Sequence, residues 1–194
     1  SESVIGLIDI PAHKLSISQT NAHLTPKAIR EALQRFSTHS YTADKNIAVQ
    51  SIQDLGEIAN PEQNEQQTIN TLNAANKELV IALGGDNSIT YAAALGVYGQ
   101  RLSTAGLITL DAHHDLRDGN SNGSPVRRLI EAGLNPKQIV QIGINDFSNS
   151  SDYEQLAHSL GITVITRTEV ASIGIANACK KALEIAGVSL GPIH

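Results

Sequence analysis

The sequence predicts an α/β protein with a three-layer α/β/α arrangement, a mostly parallel sheet covered by helices on both faces. Three observations carry this. Short apolar runs alternate with stretches whose apolar residues recur at helical spacing, the β-then-α order that builds parallel sheets. The runs are apolar almost throughout, as strands buried on both faces are. Glycines and polar residues gather where the runs end, and in an open α/β sheet that is where ligands bind.

The elements follow in order. VIGLIDI (residues 4–10) reads as a doubly buried strand. TPKAIREALQRFS reads as a helix, with Thr25 as N-cap, Pro26 in the first position, and Ala28, Ile29, Leu33 and Phe36 as its apolar stripe. NIAVQSI (46–52) is the next strand candidate, and residues 61–77 form a polar helix with Ile69 and Leu72 turned inward. ELVIALGGD is a strand ending in a glycine turn, and SITYAAALGVYG continues as helix. AGLITLDAHHD reads as a strand, and SPVRRLIEAGL as a helix closed by Gly133. QIVQIGI, a helix at 152–160, ITVITR and one long helix over 171–186 complete the series. VSLGPIH at the end has the look of another strand beginning. No tandem repeat, low-complexity tract or linker interrupts the chain, so residues 1–194 read as a single domain.

Composition narrows the function. Apolar residues make up 41% and charged residues 17%, enough apolar material for a core. The 14 basic and 19 acidic residues leave a formal charge of −5, and no Lys/Arg cluster suggests a nucleic-acid face. No apolar run reaches the ~20 residues of a membrane span, and no signal peptide is legible. Cys179 is the only cysteine, which rules out an internal disulfide and a cysteine-built zinc site. A cytoplasmic enzyme of small molecules fits these features.

The chemistry concentrates in LITLDAHHDLRDGNSNGSP. If the strand continues through it, Asp111, His113 and Asp115 share one face and His114 points the other way. Two carboxylates and an imidazole so placed would desolvate badly without a cation, and mixed O/N donors suit Mn2+, Fe2+, Zn2+ or Co2+. LGGDNS supplies a second strand end, with two glycines that permit a tight turn and close backbone approach. It has neither the G-x-G-x-x-G spacing nor a phosphate-loop Lys, so a nucleotide-binding module is disfavoured. Asn120, Ser121 and Asn122 form a loop of neutral hydrogen-bonding groups, and Arg127 could attract a carboxylate-bearing substrate. His13, His23, His39 and His158 lack ligand spacing and read as structural.

Taken together, GGDNS, DAHHDLRD, SNGSP and VQIGINDFSNSSDY resemble the arginase/agmatinase family of ureohydrolases over essentially the whole chain, and formimidoylglutamases most of all. The resemblance implies a binuclear Mn2+ site in an α/β/α fold that hydrolyses guanidine or amidine groups. It assigns Asp111 to bridge both metals, His113 to one metal and Asp115 to the other, with Asp115 also holding the attacking hydroxide. The family's usual GGDHS has a His ligand where this chain has Asn87, whose amide oxygen is a weaker donor. Arginases carry a proton-shuttling His at the position of Asn122, which argues against a true arginase. The family's remaining ligands lie in a later D-x-D, just after a segment like GPIH. The resemblance therefore makes this chain the N-terminal two-thirds of a longer domain, inactive alone. The expected reaction is hydrolysis of N-formimidoyl-L-glutamate to glutamate and formamide, in a homo-oligomer. The alternatives are agmatine or a guanidino acid as substrate, or a degenerate metal-binding relative.

Overall fold

The computed structural model describes residues 4–194, which divide into two compact units, residues up to Val97 and from Tyr98 onward. Each is built on its own three-stranded parallel sheet.

In the first unit, β1 (Ile5–Ile10) lies between β4 (Ile52–Glu57) and β5 (Leu79–Gly84), parallel to both. The central place of β1 follows from its composition: Ile8 and Ile10 are fully buried, packed with Ile58, Leu72 and Ala93. Between β1 and β4 come α1 (Thr25–Leu33) and a small antiparallel ribbon of β2 (His39–Ser40) and β3 (Lys45–Asn46). α2 (Glu65–Ala75) buries Thr68 and Leu72, and α3 (Ile89–Tyr98) follows β5. One buried charge is matched inside this unit. Arg30 of α1 donates through Nε to both oxygens of Asp9 on β1, and through its two terminal nitrogens to Asp54 on β4. The bond ties the helix across two neighbouring strands, and a buried carboxylate needs such a partner.

In the second unit, β7 (Ile139–Ile144) is central between β6 (Leu107–Leu110) and β8 (Thr163–Thr166). The helices are α4 (Pro125–Ala132), α5 (Ser151–Leu160), α6 (Arg167–Ile173) and α7 (Ile175–Ala186). Val140, Ile142 and Ile165 pack on Ala178 and Ala182 of α7, whose small side chains let the helix lie close to the sheet. Residues 192–194 run parallel to β6: Ile108 N donates to His194 O, and His194 N donates to Gly106 O. The strand expected in VSLGPIH is thus only a single bridge, Gly106 to Ile193.

The α/β class and parallel pairing agree with expectation, but five local readings are corrected. Thr25 does not cap α1. A turn of 3-10 helix, Ala22–Leu24, leads into it, and Thr25 is already helical. α1 stops at Leu33, and Leu33 and Phe36 are 52% and 73% exposed, so the inferred stripe is not a core face. The strand read at 46–52 is instead a 3-10 turn, Val49–Ser51, leading into β4, because the residues that pair with β1 are Ile52 to Asp54 and Glu57. The long helix over 171–186 is two helices, broken at Gly174 with φ +83° and ψ 148°, a conformation open essentially to glycine alone. The strand read through Asp115 ends at Leu110.

Candidate functional site

β6 stops where it does because Asp111 caps its own turn. Its Oδ1 accepts the backbone N–H of His113 at 2.9 Å, the Asx-turn bond that competes with extended structure. The backbone N–H of Asp111 still donates to Ile142 O on β7, so the loop begins anchored to the central strand. The extended alternation expected for Asp111, His113 and Asp115 is therefore not what orients them. Asp111 and His113 do face one another, with His113 Nδ1 3.3 Å from Asp111 Oδ1, on the more accessible side of the loop. Asp115 is reached by a backbone reversal: its φ is +54°, and it is 7% exposed. Its carbonyl oxygen accepts Arg127 N–H at the start of α4. Among the described residues, no group of three or more His, Cys, Asp or Glu side chains is arranged so that it could hold a metal ion. The donor types, two carboxylates and an imidazole, suit a divalent transition metal.

His114 is turned inward and buried, its Nδ1 2.6 Å from Gln141 Oε1 on β7. The rest of the loop closes on α4. Arg117 N–H donates to Gly123 O, Ser121 Oγ lies 3.0 Å from Ser124 Oγ, and Ser124 is fully buried beneath Pro125, the first residue of the helix. Asn120 is exposed, and its Oδ1 accepts from Arg128. Asn122 is half-buried. Arg127 is held on three sides: by Asp118 at 2.8 Å, Glu131 at 3.2 Å and the carbonyl of Leu116 at 3.3 Å. These bonds make it part of the framework of the loop. A 420 Å3 cavity lies at the carboxyl ends of β7 and β8, with His114, Asn145, Asp146, Asn149, Glu154 and His158 among the groups in its wall. Sequence reading missed this wall, because its residues come from separate elements: His114, Asn145, Asp146 and Asn149 fall in quoted motifs, but Glu154 and His158 do not, and nothing local says that they meet.

In the first unit, the GGDNS turn is fixed from below. Asp86 N–H donates to Ala12 O, Asp86 Oδ1 accepts from Ser88 N and Oγ, and Oδ2 accepts from Ser16 Oγ. Asp86 is thereby spent on the turn itself. Asn87 follows at the head of α3, its Oδ1 accepting from Thr90 Oγ1 at 2.7 Å. The close backbone approach read from the glycines belongs to Gly85, which lies against Ala12 and Ile10. Neither Gly84 nor Gly85 has a positive φ.

A second cluster escaped the sequence reading. The rings of His13 and His23 lie 4.2 Å apart beside buried Glu62, whose Oε1 accepts the N–H groups of His13 and Lys14. Burial pushes the Glu62 carboxyl up, but the amide donors outweigh it and hold its pKa below the ordinary value. The spacing of these three residues in the chain gives no local signal.

Parallel sheets with helices, and a loop rich in carboxylates and imidazoles at the end of a strand, define an α/β fold of the arginase-like class. The chain belongs to the arginase family, whose model matches residues 3–194. A formimidoylglutamase from Halalkalibacterium halodurans is 38% identical over 184 residues, covering 88% of this chain and 57% of that protein. The formimidoylglutamase of Bacillus subtilis is 32% identical over 192 residues, covering 92% and 60%. The crystal structure of formimidoylglutamase from Bacillus subtilis superposes with a TM-score of 0.88 at 30% identity, covering 97% of this chain and 63% of that one. A Trypanosoma cruzi formiminoglutamase crystallised with Mn2+ shares the fold at 20% identity, with a TM-score of 0.87 over 95% of this chain and 67% of that one. The chain thus spans about three-fifths of the length of the first of these relatives.

Proposed function

We propose that this chain carries the metal-binding loop and substrate loop of a Mn2+-dependent hydrolase acting on N-formimidoyl-L-glutamate. The observation that carries the reading is the loop leaving β6, where Asp111 and His113 already face one another and Asp115 follows on a reversed backbone. The formimidoylglutamases that match this chain, one of them at 38% identity, support the substrate. Asp111, His113 and Asp115 would each contribute a donor to the metal, as members of a larger ligand set, since by themselves they are not arranged to hold an ion. The chemistry a divalent metal supplies in such a site is activation of water at neutral pH.

The reaction adds water across the formimidoyl carbon and breaks its bond to the glutamate nitrogen, releasing formamide and glutamate. Asp115, a buried carboxylate, would hold the attacking water by a hydrogen bond and orient it toward the formimidoyl carbon. The Asn120–Ser124 loop offers neutral hydrogen-bond donors to the carboxylates of the substrate, and the Asn122 amide cannot shuttle a proton, which disfavours arginine. The reading extends to a cytoplasmic homo-oligomer. Among the described residues no helix is long and apolar enough to cross a membrane.

The test compares kcat/KM for formimidoylglutamate, arginine, agmatine and guanidinobutyrate in the protein with its full natural reading frame. Formimidoylglutamate is expected to lead. If arginine or agmatine leads by an order of magnitude, the substrate is wrong. If Asp111→Asn leaves the rate unchanged, the metal reading is wrong as well.

A further inference from the structure

The side chains that face the proposed substrate loop do not explain why the loop from Asp111 to Asp115 holds its shape. That work is done from beneath, by two amides on β7 and the turn that follows it. Gln141 is fully buried. Its Nε2 donates to the carbonyl of His114 at 2.8 Å, and its Oε1 lies 2.6 Å from His114 Nδ1. A carbonyl can only accept, so the amide nitrogen must face it and the amide oxygen must face the ring. His114 Nδ1 therefore carries the proton. Asn149 makes a second two-point contact: its Oδ1 accepts His114 N–H at 3.0 Å, and its Nδ2 donates to Ala112 O at 2.9 Å. Asn145 N–H reaches the same carbonyl at 3.2 Å. The residues on either side of His113 are thus held by their backbones, and His114 also by its ring, whereas the side chains of Asp111 and His113 contact each other and stay accessible.

We propose that Gln141 and Asn149 are positioning residues for the metal-binding loop, acting through His114 and Ala112 to fix the backbone that presents Asp111, His113 and Asp115. The inference rests on the reading of that loop as the metal site. The energetic reason is that the loop is not extended strand and contains a residue at positive φ, and the Asx turn at Asp111 shapes only its start. Buried amides with both ends satisfied hold it instead, and a hydrocarbon in their place would leave the His114 ring N–H and two carbonyls without those partners.

Mn2+ affinity of the intact protein, read by electron paramagnetic resonance titration, tests this without an activity assay. Gln141→Leu and Asn149→Ala are each expected to weaken Mn2+ binding on the order of 10–100-fold, as loss of groups that orient metal ligands does. Asn149→Asp, which keeps the acceptor for His114 N–H, is expected to recover part of that loss. Gln138→Leu is the control for burial alone. Gln138 is a buried glutamine whose Nε2 donates to the carbonyls of Thr104 and Ala105, at the opposite end of β6, and its loss should leave Mn2+ affinity unchanged. A second readout is the 15N signature of His114, expected as the Nδ1–H tautomer in the wild type and shifted toward Nε2–H in Gln141→Leu. If Gln141→Leu does not fold, Asn149→Ala and the wild-type tautomer carry the test. Wild-type affinity in both Gln141→Leu and Asn149→Ala, with binding abolished by Asp111→Asn, overturns the inference and leaves the metal reading standing. Wild-type affinity in Asp111→Asn overturns both. A wild-type Nε2–H tautomer overturns the role of Gln141.

Discussion

Gly84 and Gly85 sit side by side in the GGDNS turn, and alanine at each should have a different effect. A Cβ on Gly85 would lie 2.5 Å from Ala12 O, 2.7 Å from Ile10 O and closer still to Ala12 N, all backbone atoms at the end of β1. No side chain can rotate out of the way, so β1 and the turn must separate. Overpacking ordinarily costs ~1–3 kcal/mol, and a clash with rigid backbone on three atoms belongs at the upper end, about 3 kcal/mol. At about 2–4 °C per kcal/mol for a chain of this size, Gly85→Ala should lower Tm by roughly 6–12 °C. A Cβ on Gly84 would clash only with the end of the Ile89 side chain, with Asp86 O in ordinary contact at 3.9 Å. That side chain can turn, so Gly84→Ala should cost about 1 kcal/mol or less. Separation at Gly85 would also break the Asp86 N–H bond to Ala12 O, which sets the position of Asn87. With no tryptophan in the chain, the assay is urea unfolding followed by far-UV circular dichroism. Equal losses in the two variants, or a Gly85→Ala midpoint indistinguishable from wild type, would refute the close-approach argument.

Other outcomes follow from the same structure. Gly174→Ala should cost about 1–3 kcal/mol from backbone strain alone, since its Cβ meets nothing within 4 Å and only the φ of +83° opposes it; urea midpoints check this. Leu129→Ala, at a fully buried position on α4, should cost about 2–5 kcal/mol in the same assay. The lowered pKa of Glu62 means that its contribution to stability is complete above the ordinary value of 4.5 and is lost as pH falls below it through the folded-state value. Glu62→Gln should therefore flatten the acid side of a Tm-against-pH profile and leave its slope unchanged near neutrality.

What the sequence determined by itself is local. The apolar runs of β1 and β7 carry their own burial, and α4 begins at Pro125 and closes at Gly133, with φ +117°, as the residues predict. The pairing of DAHHDLRD with GGDNS pointed to the family because both motifs are contiguous. The tertiary structure decided what depends on partners distant in the chain. Periodicity carried the strand through Asp115, but the Asx turn at Asp111 ended it, and that competition is settled by one side-chain bond. His114 was correctly expected to turn away from His113, though for a different reason: its partner is Gln141, 27 residues on, and not the alternation of a strand. Gly85 is needed because β1 lies against it, a contact across more than 70 residues that neither segment encodes alone. Hydrophobic pattern and turn chemistry act over a few residues and can be read along the chain. Buried polar groups must find whichever partner the packed fold supplies, and only the fold shows which one that is.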